Sequence, residues 1–223
     1  MTEQFSLEME WKRSEIQAMQ PIYLVGSPAD SLYRVIKGFV ADYPRFEFRN
    51  GKGKGYGLPF ADLLHSSQYF GVDVFRSHFR ESQPIALVNA IVERVEKTEL
   101  RNPKKVCTWF RGQEWMREKL DLLKGLTAER SCDKSLVRLA SLLERHSPYG
   151  ENSDNGCFLP FNMELLTHSL GIPHKRLVKA LEILESRGLV RLEENKGIYV
   201  KNRDTNELED VIYECAGEPE DIE

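Results

Sequence analysis

The sequence lacks several features that mark particular classes of protein. Its four cysteines form no C-x-x-C pair, and none lies near the N-terminus where an iron–sulfur cluster could be held. No stretch approaches the roughly 18 consecutive apolar residues that a membrane span needs. Charged residues such as Glu3, Glu8 and Lys12 interrupt the N-terminal region, so we expect no secretory signal. We therefore expect a cytoplasmic protein without a membrane partner.

Patterns that would indicate catalysis are also missing. The glycine-rich run at residues 50–57 lacks the G-x-x-x-x-G-K-[ST] spacing of a phosphate loop, and no helix start follows it. A hairpin tip is the better interpretation of this run. The chain shows no spacing typical of a nucleophile with its base and acid, or of metal ligands. We predict that the protein is not an enzyme and has no catalytic residues, metal or cofactor.

The net charge of −4 is unevenly distributed along the chain. Residues 204–223 contain nine acids and no base, and without them 31 bases face 26 acids, a net charge of +5. Between residues 158 and 203, eight bases face five acids. This local excess of positive charge suits a nucleic-acid backbone. The C-terminal segment is predicted to be a flexible acidic tail, with a partner-binding role as the alternative.

Residues 20–100 contain short β-prone runs separated by glycine and other turn residues. Many short strands at this spacing predict a barrel-like or jelly-roll domain. The predicted strands include residues 22–25, 32–36, 68–70, 91–95 and 98–100.

From Lys104 onward the apolar period becomes helical. A seam with coiled-coil spacing predicts a helix that joins domains or subunits, and packing within one subunit is the alternative. A further helix is predicted from Lys134 to His146, with Asp133 as its cap. The seam consists of Trp109, Gln113, Met116, Leu120, Leu123 and Thr127.

The region from Phe158 to Val200 has the order helix, tight turn, basic helix and β-hairpin. Asn162 is predicted to cap a helix at 163–170, and a second helix is predicted at 174–187 after Gly171 and Pro173. A polar turn at 193–197 separates two short apolar runs. This order is that of a winged helix-turn-helix, which places its second helix in the major groove of DNA.

The second helix of this region has a basic side opposite an apolar stripe of Leu177, Ala180, Leu181 and Leu184. Lysine and arginine can donate to guanine O6 and N7 or to phosphate oxygens, and histidine can donate to the same acceptors. The hairpin tip is also placed for a phosphate contact. We predict DNA contacts from His174, Lys175, Arg176, Lys179 and Lys196.

Two segments resemble the Crp/Fnr superfamily of bacterial transcription regulators, named after the cyclic-AMP receptor and the fumarate-nitrate regulator. Residues 25–38 (VGSPADSLYRVIKG) resemble its early β-roll signature, and residues 138–143 followed by 159–200 resemble its DNA-binding half. The resemblance covers roughly residues 20–203. It implies an α+β fold with a β-roll at 1–103, a connecting dimerisation helix at 104–130, a winged helix-turn-helix at 131–203 and an acidic tail at 204–223.

The resemblance implies a homodimeric transcription regulator that binds a palindromic double-stranded operator. RNA polymerase and an unidentified small-molecule effector are further partners that it suggests. A protein-interaction adaptor that kept the fold and lost DNA affinity is the alternative function. Activation and repression remain equally open at this point.

The cyclic-nucleotide-binding residues of the family are not matched. Those members have a glycine–glutamate start and an arginine followed by serine or threonine, whereas Val72 stands here where the acid is expected and no such arginine pair exists. We therefore expect no control by cyclic AMP. His65 and His78 are predicted to be surface residues rather than haem ligands. The candidate effector pocket consists of Gly71, Asp73, Arg80, Ser82 and Gln83.

Overall fold

Period-two alternation produces short strands in the N-terminal half of the chain, and helical periodicity dominates after residue 134. The computed structural model describes residues 9–44, 46–50, 53–57, 61–102, 134–153, 156–193, 196–201 and 207–216. Two compact units result, one holding residues 9–57 and 62–102 and the other holding residues 134–216. Among the helices in these ranges, none has the length and hydrophobicity that crossing a membrane would require.

The N-terminal unit is built from antiparallel strands. They pair in two sheets, ordered β1-β9-β2-β7 and β6-β3-β8, and β4 and β5 form a separate hairpin. A 3-10 helix, Val72–Phe75, follows β7, and helix α1, Lys97–Leu100, follows β9. The strands are β1 Lys12–Ile16, β2 Ser31–Lys37, β3 Val40–Pro44, β4 Phe46–Asn50, β5 Gly53–Gly57, β6 Asp62–Leu64, β7 Tyr69–Phe70, β8 Ser82–Ala86 and β9 Ala90–Glu96.

The core of this unit draws side chains from both sheets. Val35 of β2, Val40 of β3 and Leu64 of β6 belong to one buried cluster. A second cluster contains Leu32 and Val95, which alternate along β2 and β9 with members of the first cluster. Strand β2 is therefore buried on both faces, with Leu32 on one face and Tyr33 and Val35 on the other.

Most of the predicted strands are present, but two predictions are wrong. Residues 98–100 lie in α1, because the chain leaves the sheet after Glu96 and Leu100 packs against the second cluster. Residues 22–25 form bends and turns instead of a strand. Pro21 and Pro84 lie at this edge, and proline lacks the N–H that a continuous ladder needs.

The C-terminal unit combines helices with a small antiparallel sheet of order β10-β11-β13-β12. A 3-10 turn, Ser147–Tyr149, connects its first helix to the sheet. The elements are α2 Ser135–His146, β10 Glu151–Ser153, β11 Gly156–Leu159, α3 Met163–Leu170, α4 His174–Ser186, β12 Val190–Glu193, β13 Gly197–Val200 and α5 Glu207–Ala216.

Local signals account for the bounds of α3 and α4. The Asn162 side-chain oxygen accepts a hydrogen bond of 2.8 Å from the backbone N–H of Leu165, and α3 starts at the next residue after this cap. Gly171 ends α3 in the left-handed region, with φ 64°. Pro173 precedes α4 without a side-chain capping bond. One capping amide therefore fixes the start of α3, and one glycine and one proline fix the turn between α3 and α4.

The acidic C-terminal segment is a packed helix over residues 207–216, and the prediction of a flexible tail is wrong for this stretch. Leu208 and Val211 are buried against α2. The Lys134 ammonium donates to the carbonyl oxygen of Cys215, and Arg187 forms an ion pair of 2.8 Å with Glu214. The high acid content concealed an amphipathic pattern, in which apolar residues recur at helical spacing.

Some predictions fall outside the described residues. These are the connecting helix at 104–130, the cap Asp133, the hairpin tip at 51–52 and the turn residues 194–195. The β4–β5 hairpin flanks the glycine-rich tip as expected. The domain boundaries at residues 103, 130 and 203 stay predictions.

Packing of α5 on α2 makes the C-terminal helix part of the core of its unit. Because Leu208 is only 7% exposed, we expect Leu208→Ala to lower the unfolding free energy of the C-terminal unit by about 2 kcal/mol or more. Tyr213→Ala on the same helix is the control, since Tyr213 is 70% exposed and its loss should change stability by less than about 0.5 kcal/mol. Urea denaturation followed by circular dichroism measures both. Equal effects of the two variants would contradict the packing of α5.

The Asn162 cap gives a second stability prediction. Asn162→Ala should cost about 1 kcal/mol, because the Leu165 N–H loses its acceptor, whereas Asn162→Asp should retain most of the stability. The same denaturation measurement compares the two variants. A loss in the aspartate variant as large as that in the alanine variant would show that the side-chain acceptor is unimportant.

Candidate nucleic-acid interface and β-domain cavity

Helix α4 exposes two lysines on the side opposite its buried stripe. Lys175 and Lys179 are separated by one helical turn, so they lie on the same face. Within the described residues, neither ammonium group takes part in an ion pair or a hydrogen bond. The buried stripe fixes this orientation, because rotating the helix would bring the lysines towards the core. Its members are Leu177, Ala180, Leu181 and Leu184.

The first turn of α4 contains bases where helices usually carry acids. His174, Lys175 and Arg176 are exposed at this end, and the turn has no acidic residue. The N-terminus of a helix has a partial positive charge, so basic residues there lower the stability of the isolated helix. An anion bound at this end would offset both the partial charge of the helix N-terminus and the charges of the basic side chains. The composition of the turn therefore favours an anionic partner.

Other bases of this unit are already engaged with the protein itself. Lys196 pairs with Glu193 at 2.6 Å, and this hydrogen bond raises the pKa of Lys196 and lowers that of Glu193. Arg187 pairs with Glu214, and the Arg191 guanidinium lies 4.7 Å from the centre of the Tyr199 ring. A phosphate would have to displace Glu193 to bind Lys196. A phosphate that binds Lys175 or Lys179 would displace no described carboxylate.

A groove of about 950 Å³ lies between α3, α4 and β12. Of the five predicted DNA-contacting residues, His174 is among the residues that line this groove, and Lys175, Arg176, Lys179 and Lys196 are not. The sequence analysis missed the acidic character of the groove, because its carboxylates come from three separate elements. They are Glu164, Glu182, Glu185 and Glu193.

The N-terminal unit contains a cavity of about 360 Å³ next to the 3-10 helix. Of the predicted effector-pocket residues, Gly71, Asp73 and Ser82 line it. Arg80 and Gln83 are not among the lining residues, although both lie on the segment that borders the cavity. The structure therefore brings three of the five predicted residues together around one half-open cavity.

Arg80 lies behind the cavity wall and is only 2% exposed. Its guanidinium donates to the Asp73 carboxylate at 2.7 Å and to the carbonyl oxygens of Gly71 and Ser31 at 3.2 and 2.6 Å. Its Nε has no hydrogen-bond partner among the described residues. Gly71 has φ 74°, and a Cβ there would come within 2.8 Å of the guanidinium. Glycine is thus required for the backbone to approach Arg80 this closely.

Two aromatic rings complete the surroundings of Arg80. Its guanidinium carbon lies 4.3 Å from the centre of the Tyr23 ring and 5.4 Å from that of Tyr33. Burial, followed by the negative charge of Asp42, raises the pKa of the Tyr23 hydroxyl, so this group stays protonated. The sequence analysis missed both tyrosines, since they precede Arg80 by about 50 residues and no local pattern connects them.

The charge of Arg80 is already balanced by Asp73, which is 4% exposed and whose second oxygen accepts from the backbone N–H of Glu81 at 2.9 Å. A second anion at Arg80 would lie beside the Asp73 carboxylate, and two negative charges that share one base in a buried site repel each other. This arrangement opposes the binding of a cyclic phosphate. The Glu81 side chain, next to Arg80 in the sequence, pairs with Arg76 instead.

The structure agrees with the predicted surface position for one of the two histidines and not for the other. His78 is exposed as expected, but His65 is only 6% exposed, and the prediction of a surface residue is wrong there. Its backbone N–H donates to the Gln68 side chain at 3.1 Å, within a tight turn between β6 and β7. This turn accounts for its burial.

Comparison with known proteins gives matches at the level of structure. No protein-family model and no curated protein sequence matches the chain. A CRP-family transcriptional regulator from Thermus thermophilus superposes with a TM-score of 0.68 at 18% identity, over 90% of this chain and 96% of that chain. FixK2 from Bradyrhizobium japonicum gives a TM-score of 0.67 at 16% identity, over 91% and 98%. A second Thermus thermophilus regulator, of the CRP/FNR family, gives 0.67 at 17% identity, again over 91% and 98%.

These similarities span nearly the whole length of each compared protein, and they cover both the β domain and the helical C-terminal unit. The sequence resemblance on residues 25–38 and 138–200 is thereby confirmed for the fold. The chain has the fold of Crp/Fnr transcriptional regulators.

Proposed function

We propose that the protein is a dimeric, sequence-specific DNA-binding regulator of transcription. In this proposal, α3, α4 and the β12–β13 hairpin act as a winged helix-turn-helix, and residues 104–130 form the dimer contact. The observation that carries it is the pair Lys175 and Lys179, which are exposed on the outer face of α4 and have no ion-pair or hydrogen-bond partner among the described residues. Likeness to the fold of known transcriptional regulators supports the same function.

In this proposal, the N-terminal end of α4 enters the major groove. Lys175 and Lys179 donate to guanine edges or to phosphates, and Arg176 contacts the backbone from the flank. His174 lies at the edge of the acidic groove, and Lys196 requires release from Glu193. We therefore propose that the two lysines contribute most of the binding free energy and that His174 and Lys196 contribute less.

The proposed regulation differs from that of cyclic-nucleotide-binding members. Arg80, the buried base of the β domain, is neutralised by Asp73 within the chain. The proposal is therefore a regulator that does not respond to cyclic AMP. RNA polymerase, which the family resemblance suggests as a partner, remains part of this hypothesis.

Replacing both lysines should weaken specific DNA binding. We expect Lys175→Ala combined with Lys179→Ala to lower the affinity by at least about tenfold, because each good base contact contributes roughly 1–3 kcal/mol. The slope of log affinity against log salt should also fall, by about 0.9 for each lost phosphate contact. Fluorescence anisotropy with a duplex selected from genomic fragments, over a salt series, measures both quantities.

Arg187→Ala is the matched control for this experiment. Arg187 follows the opposite end of α4 and pairs with Glu214, so its loss should leave both affinity and salt slope unchanged. Unchanged binding in the double lysine variant would show that α4 is not the recognition helix. If the wild-type protein binds no genomic fragment at low salt, the protein-interaction adaptor becomes the better hypothesis.

Dimeric binding predicts symmetry in the DNA site. Sequences selected from random duplexes should contain two inverted half-sites separated, centre to centre, by about one helical turn of 10 base pairs or a multiple of it. Sedimentation of the protein–DNA complex should give two chains per duplex. An asymmetric motif bound by one chain would contradict the dimer.

A further inference from the structure

The β12–β13 hairpin separates apolar and polar side chains onto its two faces. Val190 of β12 and Ile198 of β13 are buried against the helices of the unit. Arg191 and Glu193 alternate with the buried residues along β12, so they point to the opposite face. The register of the two strands places Tyr199 directly across from Arg191. These polar side chains therefore share the outer face of the hairpin.

The Glu193 carboxylate on this face engages the base at the tip of the hairpin. The Lys196 ammonium donates a hydrogen bond of 2.6 Å to it. Hydrogen bonds from Lys196 first, and then from Tyr199, lower the pKa of Glu193, so this carboxylate is ionised at neutral pH. The side chain of Lys196 is 68% exposed. The ammonium group is therefore accessible at the surface, but it already has an anionic partner.

A second base of the hairpin lies near the same carboxylate. The Arg191 guanidinium lies 4.7 Å from the centre of the Tyr199 ring, and its charge also lowers the pKa of Glu193. One acid thus offsets part of the positive charge of two bases on the outer face. Without this acid, the outer face would present Arg191 and Lys196 to an anion with no carboxylate between them.

The pair of Lys196 and Glu193 affects ligand binding more than it affects folding. An ion pair this exposed contributes little to stability, and the hairpin is held by its backbone ladder and its buried face. A phosphate that approaches Lys196 has to displace Glu193, and the displaced carboxylate stays nearby and repels the phosphate. Lys196 therefore gains less from a phosphate than an exposed lysine that has no carboxylate to release.

We propose that Glu193 limits the contribution of the β12–β13 hairpin to DNA binding by holding the Lys196 ammonium away from phosphate oxygens. This role presupposes the DNA binding proposed above and adds a residue that opposes it. Phosphate contacts carry no sequence information. By weakening one of them, Glu193 lowers the sequence-independent part of the affinity and leaves a larger share of the binding to Lys175 and Lys179 of α4.

Replacing the carboxylate by its amide tests this role through a gain of affinity. Glu193→Gln should bind both the selected duplex and an unrelated duplex about threefold more tightly than the wild type at low salt, because the competing charge is gone. The slope of log affinity against log salt should become steeper, by up to about 0.9 for one added phosphate contact. Fluorescence anisotropy on the full chain measures both quantities. A gain of affinity cannot result from unfolding.

Lys196→Ala in two backgrounds shows whether the gain acts through this lysine. In the wild type, this substitution should change the affinity by less than about twofold, since Glu193 already occupies the ammonium group. In the Glu193→Gln background, it should remove the whole gain and restore the wild-type salt slope. Equal effects of Lys196→Ala in the two backgrounds would show that Glu193 does not control Lys196.

Glu151→Gln is the matched control. It removes the same charge from an exposed position on β10, at the opposite edge of the same sheet, and should leave affinity and slope unchanged. An equal gain in this variant would mean that net charge, and not the pair at Lys196, sets the affinity. If Glu193→Gln binds like the wild type while the double lysine variant of α4 loses binding, the role of Glu193 is refuted and the proposed function stands. A wild-type protein that binds no duplex would refute both.

Discussion

A buried positive charge organises the N-terminal unit. The Arg80 guanidinium is almost completely removed from water, which would cost several kcal/mol without compensation. Compensation comes from the Asp73 carboxylate, the carbonyl oxygens of Gly71 and Ser31 and the aromatic ring of Tyr23. These groups belong to three separate segments of the chain. Their convergence on one side chain holds the 3-10 helix against the sheet and sets the wall of the adjacent cavity.

The C-terminal unit distributes its charges in the opposite way. Its apolar stripe holds α4 in one orientation, and this exposes Lys175 and Lys179, which have no counter-charge in the part of the chain that the structure describes. Arg187 and Lys196 have carboxylate partners instead. A charge that is paired within the protein contributes to folding, whereas an exposed charge that lacks a described partner is accessible to a ligand. The two units therefore differ in where their basic residues lie: Arg80 is buried and supports its own fold, and the lysines of α4 are exposed to solvent.

Local sequence signals predicted some elements closely and failed on others. The bounds of α3 and the start of α4 follow from Asn162, Gly171 and Pro173, which act within a few residues of their own positions. Residues 98–100 have β-prone character, yet they form a helix because Leu100 finds a packing site off the sheet. The acids of α5 suggested a solvated tail, although four apolar residues at helical spacing allowed it to pack on α2.

The sequence by itself determined the order of elements, the basic character of α4 and the departure from the nucleotide-binding pattern at Val72, since these depend on residue type and short spacing. Only the tertiary structure decided which charges are neutralised. Asp73 balances Arg80 through a turn of the chain, and Tyr23 and Ser31 reach the same guanidinium from some 50 residues away. The acidic groove beside α4 likewise combines carboxylates from three elements. Electrostatic balance depends on distances in space, and these distances are set by how the sheets and helices pack.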